Sequence, residues 1–412
     1  MSIQEDLMHE AARCINCKHQ PCVSACPAHN HIPEILSMVK VGALKEGRAL
    51  WHQTSTLGEL CGVLCPHEAL CEGHCTLSKI QKPIKIGWVE EQLAMLYKED
   101  VYYPKEKYNH RHLVIGLGPA GIANAIKMAE YGYQVHCIEK ESTLGGAINT
   151  HVPTFRYEHF RLDNFQSRFD KLGITVSYNT LVGKDVLLDD LIKEYDTIFI
   201  ASGLDEPSEV EFTKDADIPV YYAIDLLNKN RYSKEELNRL IGQKVGIIGL
   251  GNVSVDISRT LRRLGKEVHI IYRRTLAESP ATRKEIKEAV DDGAIIHELL
   301  GPLSFKRNNE VKVLECEKTC LITDPLSSRS KVQAIEGEYE FFELDDLVFA
   351  TGQKSSYEAF KNSSIRLVKG EHDYLTNYKH VYVGGDIVNK EKRIVDAMVS
   401  GQTVAALIHN TR

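Results

Sequence analysis

Cys14, Cys17, Cys22 and Cys26 run as C-x2-C-x4-C-x3-C-P, and Cys61, Cys65, Cys71 and Cys75 follow as C-x3-C-P-x4-C-x3-C. Thiolates this close in sequence turn toward a common centre at little cost in loop closure, and sulfur is a soft ligand suited to zinc or to iron–sulfur clusters. A structural zinc site commonly uses two C-x2-C hooks. Only one occurs here, so the spacing favours iron–sulfur over zinc. The N-terminus, MSIQEDLMHEAARC, carries acids where a leader needs basic residues and an apolar run, which reads as a cytoplasmic chain. In that reducing compartment crowded cysteines bind metal more readily than they form disulfides.

A second chemistry begins at residue 112. In HLVIGLGPAGIANAIKMAEYGYQVHCIEK an apolar strand runs into Gly116, Gly118 and Gly121, then a helix opening with Pro119 and Ala120, then a strand ending at Glu139 and Lys140. This is a dinucleotide fingerprint in its required context. Its glycines permit a tight turn and close pyrophosphate approach, the helix N-terminus favours the anion, and Glu139 is placed for the adenosine ribose hydroxyls. The unit recurs in QKVGIIGLGNVSVDISRTLRRLGKEVHIIYRR, with Gly249, Gly251, Asn252 and Val253 at the turn and Ser254 in the third glycine position. Its second strand ends in Arg273 and Arg274 where the first ends in Glu139. Arginine suits a 2'-phosphate that a carboxylate repels, so NADPH is favoured over NADH; solvated edge arginines are the plain alternative.

These motifs need elements to hold them. Residues 1–108 carry short helical patterns such as IPEILSMVKVGALKEG and GWVEEQLAMLYKED, and DVYYPKEKYNHR reads as a linker. YDTIFIASG and LDDLVFATGQ, the latter containing Gly352, read as strands that bracket the second nucleotide unit. They are followed by HVYVGGDIV, with Gly385 and Asp386, and a helix beginning near Ile394. Fifty Lys and Arg against 57 Asp and Glu give a net charge of −7, which argues against a nucleic-acid partner. No apolar run is long enough to span a membrane.

The order of units resembles the two-dinucleotide flavoprotein reductases, in which an NADP domain is inserted into an FAD domain. That resemblance implies an α/β fold of two Rossmann-like domains preceded by a helical iron–sulfur domain. The expected boundaries are 1–108 helical, 109–235 FAD first part, 236–345 NAD(P), and 346–412 FAD second part. It also implies FAD contacts from Gly145 and Gly146 in TLGGAI, and from Gly385 and Asp386. Disulfide reductases share this layout but need a redox-active pair. None follows Gly146, Cys137 reads as core, and Cys316 and Cys320 have no assigned role.

Across essentially the whole chain, the two cysteine sets, KPIKIGWVEEQ, GLGPAG, YRR and GGD resemble the glutamate synthase small (beta) subunit, the N-terminal portion of dihydropyrimidine dehydrogenase and related flavoproteins. The resemblance implies two 4Fe-4S clusters with interleaved ligands: Cys14, Cys17, Cys22 and Cys75 on one, Cys26, Cys65 and Cys71 on the other. Glu90 would complete the second and leave Cys61 free, with Cys61 as the competing ligand. His29, His31, His67 and His74 are given no ligand role. It further implies electron flow from NADPH through FAD and the clusters to a separate large catalytic subunit or a ferredoxin-like acceptor. A glutamate synthase partner stands first, a pyrimidine dehydrogenase subunit second, and a non-catalytic binding module is the alternative from another class.

Overall fold

Residues 2–210, 212–323, 329–361, 363–368 and 374–411 are described by a computed structural model. Up to residue 108 helices alternate with the cysteine-bearing turns: α1 (Ile3–Ala12), α2 (Pro21–Ser24), α3 (Ile32–Lys40), α4 (Leu44–Thr54), α5 (Gly58–Leu64) and α6 (Ile86–Leu96). Ser2 and Glu5 close α1 with a capping box, and prolines open α2 and α3, where a missing N–H costs nothing. Ile32, Ile35, Leu36 and Val39 form the buried stripe of α3. They pack into a core with Leu7, Trp51, Val89 and Leu93 that also takes in Cys26 and Cys71. Cys26 and Cys71 are thus part of the interior of the helical region, with Cys14, Cys22 and Cys75 packed half-buried against it.

The chain continues through β1 (Arg111–Ile115), α7 (Pro119–Glu130), β2 (Gln134–Ile138), α8 (Ala147–Thr150), α9 (Asp163–Leu172), β3 (Thr175–Ser177), α10 (Leu188–Glu194) and β4 (Thr197–Ile200). Next come β5 (Glu206–Pro207), β6 (Thr213–Lys214), β7 (Tyr221–Tyr222), α11 (Ala223–Leu227), α12 (Lys234–Leu240), β8 (Lys244–Ile248), α13 (Asn252–Arg263), β9 (Glu267–Tyr272), α14 (Arg283–Asp291) and β10 (Ile295–Glu298). After them run β11 (Leu300–Asn308), β12 (Val311–Ile322), β13 (Lys331–Glu343), β14 (Asp346–Phe349), β15 (Gln353–Lys354), β16 (Val381–Val383) and α15 (Ile394–Asn410). Among the described residues no helix is long and apolar enough to cross a membrane.

Two units result. The first comprises Met1–Asn149, Thr154–Asp205 and Ser355–Arg412, and the second Thr150–Pro153 with Glu206–Lys354. In the first, a parallel sheet of order β16-β4-β1-β2-β3 has its strand reversal between β4 and β1. In the second, a parallel sheet of order β10-β9-β8-β14-β7 repeats the plan, beside the β13-β12-β11-β6 sheet. Open parallel sheets bind ligands outside the strand C-termini at this reversal.

The expected domain boundaries shift. The sequence placed the junctions at 235/236 and 345/346, whereas the units part at 205/206 and 354/355. β14 pairs with β8 and so does for the second sheet what β4 does for the first. The helical region falls in the same compact unit as the first sheet. Within the first unit, the buried Arg168 of α9 is ion-paired with the buried Glu59 of α5, and Gln402 of α15 accepts from the Thr56 backbone N–H (3.0 Å) and hydroxyl (2.9 Å). Removing one partner of such an ion pair strands a buried charge, so Arg168→Met should cost about 3–5 kcal/mol in denaturant unfolding. A matched Arg168→Met/Glu59→Leu double variant should recover most of it.

A second tie gives the unit an acid-sensitive point. His52 Nε2 on α4 lies 2.5 Å from Glu130 Oε1 on α7, and Lys127 Nζ donates to Glu130 Oε2 at 3.0 Å. Burial pushes His52 down to about 3. Burial alone would raise Glu130, but His52 and Lys127 outweigh it and hold the carboxyl below its ordinary value. Both groups bind fewer protons folded than unfolded, so the stability they contribute is present above their unfolded values and is lost on acidification. For His52 the loss starts near pH 6.5 and reaches about 2 kcal/mol by pH 5. Melting temperatures taken between pH 7 and pH 5 should therefore fall less steeply for His52→Gln than for the native chain.

Candidate functional site

In the helical region the thiols surround two spaces. Cys14, Cys17, Cys22 and Cys75 line one cavity, with Ile32, Leu36 and Ile84 among its walls. Cys26, Cys61, Cys65, Cys71 and Glu90 line the other, together with Val395 from α15. The division crosses the two sequence blocks, because Cys75 sits with the first set and Cys26 with the second. Among the described residues no three His, Cys, Asp or Glu converge closely enough for a single metal ion. A tetrahedral zinc needs its sulfurs only ~3.8 Å apart, whereas a polynuclear cluster spreads its ligands over a larger cage.

The electrostatics suit a group that supplies positive charge. Burial pushes the Cys22 thiol up to about 11, and burial likewise raises Cys14, Cys26, Cys61, Cys65 and Cys71. Neutral thiols shielded from solvent become ligands only when a metal centre offsets the cost of the thiolates. Glu90 is buried and raised to about 7, by burial first, while its Oε1 accepts from the Ser55 hydroxyl at 2.6 Å. Cys61 faces the same space, with its Sγ 3.9 Å from Met398 Sδ of α15. Glu90 and Cys61 are therefore both within the second cavity. Ser55 and Met398 had no signal in the sequence, since neither belongs to a ligand-type pattern.

The two fingerprint loops are built alike. Gly116 (φ +91°) follows β1, and a Cβ there would come 2.6 Å from the Ala201 carbonyl after β4. Gly249 (φ +109°) follows β8, and its Cβ would come 2.6 Å from the Ala350 carbonyl after β14. Both turns lie at strand reversals, where only glycine fits. Gly121 brings α7 against β1 so closely that a Cβ would stand 1.9 Å from the Gly116 carbonyl. In the second loop Ser254 instead donates its hydroxyl to the Gly249 carbonyl at 2.7 Å. A Cβ at Gly118 would meet nothing within 4 Å, and Pro119, Ala120, Asn252 and Val253 form first helical turns that no N-cap side chain satisfies. The N–H groups that would take a pyrophosphate are thus left available on both helices.

The remaining expected residues divide. Glu139 is buried and accepts from the backbone N–H groups of Leu117 (2.6 Å) and Glu141 (2.9 Å), so it braces the loop, while Lys140 is exposed beside it. Gly145 donates to the Leu117 carbonyl at 2.8 Å, and a Cβ on Gly146 would lie 2.8 Å from Gly118 Cα. Asp386 follows Gly385 at the β4/β16 side of the same sheet and is raised to about 6 by burial; its Oδ1 has no hydrogen-bond partner among the described residues. An orphaned buried acceptor beside an open glycine loop fits a polyol-bearing dinucleotide such as FAD. Gly352 lies in the second unit, next to the strand that faces Gly249.

At the end of β9 the arginines differ. Arg274 is held by Glu278 Oε2 (2.5 Å) and the Ser330 carbonyl (2.6 Å). Arg273 is exposed, and its guanidinium makes no hydrogen bond among the described residues. Glu278 was not singled out by the sequence, because an acid four residues on reads as surface. Elsewhere, Cys137 is buried in β2. Cys316 and Cys320 are four residues apart along β12, about 13 Å in a strand, well beyond the ~7 Å Cα limit of a disulfide. They are no dithiol.

Comparison with known proteins agrees with this division. Residues 1–101 match the family described as dihydropyrimidine dehydrogenase domain II, 4Fe-4S cluster, and residues 110–403 match the pyridine nucleotide-disulphide oxidoreductase family. The chain is 29% identical to the glutamate synthase [NADPH] small chain of Escherichia coli, over 97% of this chain and 90% of that one. It is 28% identical to the NAD-dependent dihydropyrimidine dehydrogenase subunit PreT of Escherichia coli, over 97% and 93%. With the Escherichia coli protein AegA it shares 29% over 97% of this chain but spans only 65% of that longer protein. FprA from Mycobacterium tuberculosis, solved with NADPH, superposes with a TM-score of 0.61 at 17% identity, over 74% of this chain and 85% of that one, and so shares the fold. The chain belongs to the pyridine nucleotide-disulphide oxidoreductase family, as an NAD(P)H-dependent oxidoreductase that uses FAD and carries an N-terminal 4Fe-4S domain.

Proposed function

We propose that this chain is the electron-transfer subunit of a glutamate-synthase-like enzyme, taking electrons from NADPH and delivering them to a separate large catalytic subunit. When bound, FAD accepts hydride from the nicotinamide and the 4Fe-4S clusters carry electrons one at a time. The observation that carries the reading is one shared helix. Val395, in the first turn of α15, lines the second cysteine cavity, and Asp386 lies just upstream of that turn. Cys26, Cys65 and Cys71, with Glu90 or Cys61, would hold the cluster next to the flavin. Cys14, Cys17, Cys22 and Cys75 would hold the other, farther along the route. Asp386 would accept from the ribityl hydroxyls, and the free N–H groups of α7 and α13 would bind the two pyrophosphates. A reducing cytoplasm would keep the ligand thiols available.

Stopped-flow mixing with NADPH tests the reading: the flavin absorbance should bleach, and a one-electron acceptor should be reduced only while the clusters are intact. An unbleached flavin would leave a non-catalytic binding module.

Arg273 is the residue we assign to the 2'-phosphate. Arg273→Ala should weaken NADPH binding about tenfold, the scale of one charge-assisted hydrogen bond, and leave NADH binding unchanged in calorimetry. Glu278→Gln should release Arg274 and tighten NADPH a few-fold. This partial neutralisation also favours a second reading, the flavin subunit of an NAD-dependent dihydropyrimidine dehydrogenase, which equal turnover of NADH and NADPH would support.

A further inference from the structure

The outer wall of the first cysteine cavity differs in charge from the rest of the chain. Residues 13–33 and 73–89 contain no Asp or Glu, although the whole chain has a net charge of −7. The start of the first segment lies against the second: the Cys17 thiol donates to Thr76 Oγ1 at 3.2 Å, and the Arg13 guanidinium donates to the carbonyls of Pro83 (3.3 Å) and Lys82. Arg13 is also paired with Glu10 at 2.6 Å, and Glu10 Oε1 in turn accepts from the Lys85 backbone N–H at 2.9 Å. Glu10 is therefore already occupied, as is Glu72 at the edge of the second segment, whose Oε1 accepts from the Gly87 backbone N–H at 3.0 Å. Lys18, Lys79, Lys82 and Lys85 are exposed and, among the described residues, make no ion pair. The same two segments expose Ile15 (57%) and Ile80 (80%), and Ile15 itself lines the cavity.

We propose that this wall, with Ile15 and Ile80 as its apolar contacts and Lys18, Lys79, Lys82 and Lys85 as its charged rim, is the docking surface for an acidic one-electron carrier protein. An apolar centre with a charged rim is the ordinary anatomy of a transient interface. Complementary charge steers encounter and raises association rates by about 10- to 1000-fold at low salt. Ile15 is exposed and also lines the first cavity, as does Thr76, so a carrier docked here contacts residues that form that cavity's wall. The exchange balances as two reduced carriers plus NADP+ and one proton giving two oxidised carriers and NADPH, or the reverse. This goes beyond the reading above by giving the first cavity a carrier protein as a further exchange partner, and it rests on that cavity holding a cluster.

The probe is an acidic plant-type 2Fe-2S ferredoxin mixed anaerobically with the holoenzyme. Calorimetric binding of the oxidised partners should weaken at least tenfold between about 50 and 300 mM salt. Lys79→Glu/Lys82→Glu should weaken it by a similar factor at low salt, and the rate at which reduced ferredoxin is oxidised in the presence of NADP+ should drop in step. Flavin bleaching by NADPH and iron content should not change in that variant, which separates failure of the docking surface from failure of the electron-transfer reading. Binding insensitive to salt and to the charge reversal would overturn the proposal. So would loss in the variant of binding to phosphatidylserine vesicles with ferredoxin binding unchanged, which would assign the lysines to a lipid surface.

Discussion

Cys71→Ala protein prepared without oxygen should contain half the iron and half the acid-labile sulfide of the native chain, while keeping FAD and its bleaching by NADPH. Cys71 lies in the second cavity with Cys26 and Cys65, yet Cys75, four residues on, lies in the first. The pairing of phenotypes is therefore diagnostic. Cys26→Ala should remove the same cluster as Cys71→Ala, and Cys75→Ala the same cluster as Cys22→Ala, in EPR spectra of reduced samples. If ligation instead followed the two sequence blocks, Cys26 would group with Cys22. The functional effect should also be large: with the cluster proposed to lie beside the flavin gone, reduction of a one-electron acceptor should be almost abolished while flavin bleaching by NADPH persists. Because Cys26 and Cys71 sit in the core of the helical region, losing the cluster should also lower the melting temperature of that region. Structural metal is worth about 10 kcal/mol or more in small domains. Comparison of Glu90→Ala with Cys61→Ser then identifies the fourth ligand, since only one of the two should alter the EPR signal.

A second large effect is expected at the first fingerprint loop, where two glycines three residues apart should fail for different reasons. At Gly121 the added Cβ would stand 1.9 Å from the Gly116 carbonyl. Gly121→Val must push α7 off β1, costing about 3 kcal/mol or more, and the protein should be recovered unstable and without FAD. At Gly118 the added Cβ meets open space. Gly118→Ala should keep its melting temperature as apoprotein, yet bind FAD at least tenfold more weakly, because the methyl occupies the approach of the pyrophosphate. Equal losses of stability in the two variants would mean that Gly118 serves packing instead.

Much of the architecture was legible because both chemistries announce themselves over short distances. A strand, a glycine turn and a helix lie within one fingerprint, and cysteines four residues apart identify themselves. What was illegible depended on long-range choices. TIFIASG and LVFATG are nearly the same strand, because the two nucleotide folds repeat one plan. Nothing local tells which sheet LVFATG joins; only its pairing with β8 places β14 in the second sheet. Charged residues at helical spacing read as solvated, yet Arg48, Glu59 and Arg168 are buried together. Their burial follows from α9 packing on α5, which no periodicity reveals. Likewise YRR suggested two equivalent arginines, and only the fold shows Glu278 holding one of them.

The most direct test of the central claim, that the two thiol cavities are iron–sulfur sites serving a flavin, is metal and sulfide analysis of anaerobically prepared protein alongside its flavin content. Iron and acid-labile sulfide should be equal at about eight each per FAD, with a broad absorbance shoulder near the flavin bands. Zinc in the cavities, or iron without sulfide, would contradict the account.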